Sequence, residues 1–250
     1  MESNRRNDID ALRALSVVSV IIFHLNNDFF PLGFLGVDIF FIISGFLISR
    51  IVIKKFNDNN FSLKEFYIRR AKRILPAFFL LLLFVFFISP FILLSSDLKF
   101  LNESLLSAIF FVPNIYFWIT GGYFGTEDSL KPLLHTWSLG VEEQFYIFFP
   151  IFFFLILKKI NLLITRILIV FIITLLSYLL NFYLIKKGHF DPNFFLLPMR
   201  VWEFGVGVLA SLILGVNIKN SYLRYFIIYL SLILIILNFF YLVPGIPKAS

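Results

Sequence analysis

Residues 13–24 read "RALSVVSVIIFH", an apolar run with an arginine at one end and a histidine at the other. Eleven positions on a helix make about three turns with roughly 20° of angular drift, so Arg13 and His24 share one face about 17 Å apart. The apolar stretch around them, 11–27, approaches the ~20 residues that a helical membrane span needs. Similar stretches follow at 34–53, 74–96, 136–157, 162–185, 195–216 and 222–243. The chain has 250 residues, of which 60% are hydrophobic, 20% aromatic and only 15% charged, and 36 are phenylalanine. A soluble domain carries about 25% charged residues, and a water-soluble core cannot hide this much apolar surface. The sequence therefore predicts an all-α, polytopic transmembrane helix bundle of seven spans.

Charge alternates between the spans. Arg5 and Arg6 precede the first; Arg50, Lys54, Lys55, Lys64, Arg69, Arg70, Lys72 and Arg73 crowd the link between the second and third. Lys158, Lys159 and Arg166 flank the fourth connection, and Lys219 and Arg224 the sixth. The alternate loops are poorer in cations, which places the N-terminus in the cytoplasm and the C-terminus outside. Lys186 and Lys187, on a loop assigned outside, fit this scheme least well. One apolar run, "LLSAIFFVPNIYFWITGGYF" at 105–124, would invert the later loops if it spanned. Pro113, Asn114, Gly121 and Gly122 interrupt it, so it is expected to be an interfacial or re-entrant helix near 105–120. The net charge of +7 reports cytoplasmic loops and anionic lipid rather than nucleic acid. Absent cysteine excludes disulfides and thiolate nucleophiles, and three scattered histidines give no metal-ligand cluster. Residues 1–10 are polar and no cleavable signal follows them.

Ionisable residues inside spans are costly and mark function. His24 suits proton transfer near neutrality, with an interfacial histidine bonded to a backbone carbonyl as the structural alternative. Asp38, in "GFLGVDIFFIISGFLIS" (33–49), either orients His24 across the bundle or partners a polar group on another helix. Gly33, Gly36 and Gly45 in the same stretch permit close helix approach. In "HTWSLGVEEQFYIFFP" (135–150), His135, Ser138, Glu142 and Tyr146 fall on one helical face. They stack lengthwise, which suits a polar stripe lining a cavity better than a catalytic triad. Glu142 or Glu143 is the candidate acid/base or acceptor-orienting group. In "FYIRRAKRILP" (66–76), Arg69, Arg70 and Arg73 form either a positive-inside anchor or a phosphate clamp. Arg200 and Glu203, at i and i+3 inside a span, predict an internal ion pair.

These stretches, in this order, resemble the bacterial integral-membrane acyltransferase family 3, which O-acetylates surface polysaccharides. "DIDALRALSVVSVIIFH" (8–24) is similar to the family's opening Arg-x10-His element, "GFLGVDIFFIISGFLIS" to its second helix, and "FYIRRAKRILP" to its Arg-Arg-x-x-Arg element. "NIYFW" (114–118), "GGYF" (121–124), "PLLHTWSLGVEEQFYIFFP" (132–150) and "RVWEFGVGVLAS" (200–211) complete the series. The resemblance implies one membrane acyltransferase domain over 1–250, with the family's later helices and any attached extracellular hydrolase-like domain missing. It further implies a bacterial inner-membrane enzyme that moves an acyl group, commonly acetyl, from cytoplasmic acyl-CoA to a glycan hydroxyl outside. His24 becomes the expected catalytic base with Arg13 as its partner. Asp38, Glu142 and Glu143 become site groups, and Arg69, Arg70 and Arg73 the expected acyl-CoA element, with no metal required. A non-catalytic transporter or partner-binding subunit is the rival reading; a transporter would need paired repeats, and none is evident.

Overall fold

The computed structural model describes residues 6–26, 29–58, 60–121 and 131–213, which form helices without a strand. In chain order they are α1 (Asn7–Leu25), α2 (Gly36–Asn57), α3 (Leu63–Ile88), α4 (Ser95–Ile109), α5 (Pro113–Thr120), α6 (Thr136–Leu155), α7 (Leu163–Lys186), α8 (Phe190–Phe195) and α9 (Leu197–Ile213). Five segments are long and apolar enough to cross a membrane: Gly33–Asn57, Leu63–Phe91, Thr136–Lys159, Leu163–Lys186 and Phe190–Ile213. The chain is therefore a multi-pass membrane protein. The expected first span, α1, is not among the five, because Asp8, Asp10 and Arg13 leave it no charge-poor stretch of full spanning length. The expected span at 222–243 lies outside the described residues.

Two segments depart from their expected bounds. The third span was expected at 74–96, but its helix begins at Leu63 and takes in the whole arginine cluster. Ser62 explains the early start: its side chain accepts from the Glu65 backbone N–H at 3.4 Å, as an N-cap does. The described part of the aromatic run, 105–121, divides between the end of α4 and the separate helix α5. The break falls at Phe111, whose φ of 57° is uncommon for a non-glycine residue, and α5 restarts on Pro113.

The core is built on α2, α6 and α9, while α3 and α7 present long apolar faces outward. Glycine decides how closely α2 and α9 meet. A Cβ on Gly45 would sit 2.2 Å from the Phe204 carbonyl oxygen, and one on Gly207 only 2.0 Å from that of Ile42. Such backbone contact is the small-residue packing expected between membrane helices. Gly36 likewise leaves room for the Ser16 carbonyl of α1. Phenylalanine fills what remains: Phe204 stacks on Phe145 at 4.2 Å and on Phe41 at 4.7 Å between ring centroids. Asn114, fully buried, ties α5 to α6 and α8. Its amide donates to the Phe195 carbonyl at 3.1 Å and its oxygen accepts from Gln144 at 2.9 Å.

Candidate active site

Two helices with polar faces, α1 and α6, both pack on α2 but scarcely on each other. Their charged groups nonetheless meet across the space between them. At one end, His24 near the close of α1 lies within electrostatic range of His135, the residue before α6. About two turns further into α6, Glu142 feels the positive charges of both Arg13 on α1 and Arg70 on α3. The two helices thus run antiparallel as facing polar stripes, imidazoles at one end and guanidinium and carboxylate groups at the other. By helical rise, about 17 Å separates the ends along α1.

The carboxylate end is densely built. Glu142 is buried and its Oε1 accepts hydrogen bonds from the Ser44 hydroxyl of α2 and the Tyr146 hydroxyl one turn on. Tyr146 is also within 3.1 Å of the Ser44 hydroxyl. The Arg70 guanidinium lies over the Tyr146 ring, 3.7 Å from its centroid, a cation–π contact. Helix α3 stands off from α6 and reaches it with side chains: Arg70, and Tyr67, whose hydroxyl donates to the Ile147 carbonyl at 3.0 Å. Within this group two buried polar atoms have no hydrogen-bond partner, Arg70 Nε and Glu143 Oε1. Arg13 rests against the Phe40 ring at 5.3 Å.

The histidine end is more open. His24 is exposed on one side and packs its ring on Phe23 at 5.3 Å. His135 also keeps an exposed edge. Desolvation pushes its imidazole below the ordinary histidine value, the nearby charge of His24 pushes the same way, and a bond to the Pro132 backbone offsets part of this.

The model of the acyltransferase domain family 3 matches residues 6–246. The chain belongs to that family. A Haemophilus influenzae protein of uncharacterized function is 40% identical over 185 residues, 70% of this chain and 73% of that protein. A Staphylococcus aureus protein named "Putative O-acetyltransferase SACOL0978" is 43% identical over 144 residues, 57% of this chain. The peptidoglycan O-acetyltransferase OatA of Listeria monocytogenes is 40% identical over 152 residues, 60% of this chain. The chain spans only 24% of the length of each of these last two. No solved structure matches.

The expected site residues of this acyltransferase-family chain divide into four groups. Arg13, Arg70, Glu142 and Glu143 converge, and Ser44 and Tyr146 join them. His24 stands at the other end of the same space, with His135. Asp38 goes elsewhere: its Oδ1 accepts from Arg200 Nη1 at 2.9 Å, and the same Nη1 donates to Glu203 Oε1 at 2.6 Å. The partner of Asp38 is therefore the buried arginine of α9, the second of the two roles its sequence position allowed. Arg200 Nε further donates to the Phe194 carbonyl at 2.9 Å, and its guanidinium lies beside the adjoining Trp137 and Phe194 rings, 5.7 and 5.1 Å from their centroids. The arginine cluster separates too. Arg69 pairs with Glu65 on the exposed side of α3, Arg73 is exposed, and Arg70 alone turns to α6. The signal for this was present in the sequence. Phe66, Arg70 and Ile74 fall on one stripe of the helix, and Phe66 is buried. Ser44 left no comparable signal, being one hydroxyl inside an apolar run.

Proposed function

We propose that this chain is the membrane part of an O-acyltransferase that moves an acyl group, acetyl in the first instance, from cytoplasmic acyl-CoA to a hydroxyl of a cell-surface or periplasmic polysaccharide. The observation that carries the reading is the pair of facing polar stripes, imidazoles at one end and arginines at the other, in a member of an acyltransferase family. The positive-inside pattern supports an arginine end at the cytoplasmic face of a bacterial inner membrane, with the N-terminus inside. Arg70, helped at the rim by Arg69 and Arg73, receives the phosphates of the donor. His24 takes the proton from the sugar hydroxyl as its oxygen attacks the thioester carbonyl; the carbon–sulfur bond breaks, and the proton passes on to the departing thiolate. Arg13 and the buried carboxylates set the electrostatics along the path. The name of the Listeria relative makes peptidoglycan a first acceptor to test. Asp38 serves this reading through Arg200, by fixing α9 against α2.

The test is acetyl transfer from labelled acetyl-CoA to glycan in membranes carrying the protein. His24→Ala is expected to lower transfer by about 10²–10⁴-fold, the usual worth of a general base, with insertion unchanged. Unimpaired transfer by His24→Ala removes it from the chemistry.

A further inference from the structure

Helices α6 and α7 are joined by the short turn Leu157–Lys159 and a three-residue link, yet they do not lie against each other. Between them opens a groove of about 610 Å³ floored by α9. Its walls are apolar almost throughout: Phe148 and Phe152 from α6, Ile156 just past its end, Ile173 from α7, and Val201 and Val208 from α9. The groove has a chemical polarity set by the chain around it. Its Ile156 end leads within three residues to Lys159, which is exposed, and Arg166 lies one turn before its α7 wall begins at Val170. Arg166 is held there, its Nε donating to the Ile160 carbonyl at 2.7 Å. Lys158 turns the other way, its ammonium resting 4.5 Å from the Phe154 ring centroid and 5.1 Å from that of Phe56 on α2, outside the groove.

We propose that this groove binds a diacyl anionic phospholipid, its acyl chains between α6 and α7 and its phosphate at Lys159 and Arg166. An apolar trough with a basic mouth matches one amphiphile in both parts, and basic pockets between membrane helices are known places for anionic head groups. A zwitterionic lipid would fill the trough and leave the mouth's charge uncompensated. Residues 214–250 contain no Asp or Glu side chain to meet that charge and bring Lys219 and Arg224 instead. The site is distinct from the polar stripes of α1 and α6 and does not depend on the transfer chemistry.

The test uses the purified protein in detergent, with dioleoylphosphatidylglycerol and dioleoylphosphatidylcholine as probes, read by native mass spectrometry and thermal melting. Phosphatidylglycerol is expected to be retained several-fold more than phosphatidylcholine, at about fivefold per basic residue engaged, and to raise the melting temperature more. K159Q/R166Q should abolish the preference. Ile173→Trp, placed from the exposed side of α7, should lower retention of both lipids while the protein still melts cooperatively. Equal retention of the two lipids by the unaltered protein, or full retention by a folded Ile173→Trp protein, overturns the proposal and leaves the groove to another helix or a second copy of the chain.

Discussion

Two clusters of buried charge lie in this bundle and are built in opposite ways. Around Arg200 the cation itself is fully engaged: the guanidinium bonds Asp38, Glu203 and the Phe194 carbonyl beside an adjoining pair of aromatic rings, and the buried atom left without a partner is Glu203 Oε2, on the carboxylate. Around Arg70 the guanidinium bonds no carboxylate. It lies on the Tyr146 ring, its Nε is unpartnered, and Glu142 spends an oxygen on two hydroxyls instead. A cation taken out of water needs compensation. The first arginine obtains it from fixed neighbours and so joins α2 to α9. The second holds part of its hydrogen-bonding capacity in reserve, facing the space between α1 and α6. The contrast separates scaffold from chemistry within one membrane domain.

The largest effect should come from breaking the closed cluster. Arg200→Ala leaves the buried Glu203 and the part-buried Asp38 without their cation, and removing one partner of such a group costs about 3–5 kcal/mol. In a chain of this size that lowers the melting temperature by roughly 10 °C, measurable in detergent, and transfer is lost with the fold. A smaller effect concerns pH. The imidazole of His135 takes a proton less readily folded than unfolded, so its contribution favours folding above the ordinary histidine range near ~6.5 and is lost as pH falls below it. Melting temperature should therefore decline on acidification from pH 7 to 5.5, and His135→Gln should flatten that part of the curve. The smallest effect is expected at Arg69, whose pair with Glu65 is half-exposed. Arg69→Ala should change stability by about 0.3–0.5 kcal/mol, within the scatter of a melting experiment. A large loss of stability there would erase the distinction between the faces of α3.

Composition and span-length apolar runs sufficed for an all-helical membrane bundle, because the lipid environment permits few other ways to satisfy a backbone. The Arg200–Glu203 pair was legible too, since i and i+3 on one helix face must meet. The third member was not: Asp38 stands 162 positions away, and only the approach of α2 to α9 over Gly45 and Gly207 brings it within reach. Gly45 was legible as a close-approach residue, but not which helix it would admit. The arginine cluster showed its charge plainly and concealed its orientation. Arg69 and Arg73 share a face and look like a pair, while the residue that enters the bundle is Arg70, on the stripe of Phe66. The run at 105–124 announced a break through its proline and glycines. That the break would fall at Phe111, ahead of the proline, followed from tertiary packing: the Phe111 ring stacks on Phe78 of α3 at 5.2 Å.

The most direct test of the contrast is the Arg70→Ala protein, assayed for acetyl transfer and thermal stability in the same preparation. Transfer should fall by at least about 10²-fold, the scale of losing a placed charge in a shielded site, while the melting temperature stays within a few degrees of the unaltered protein. Transfer that survives, or a melting temperature that drops as far as in Arg200→Ala, would make the Arg70 cluster a second scaffold and contradict the account.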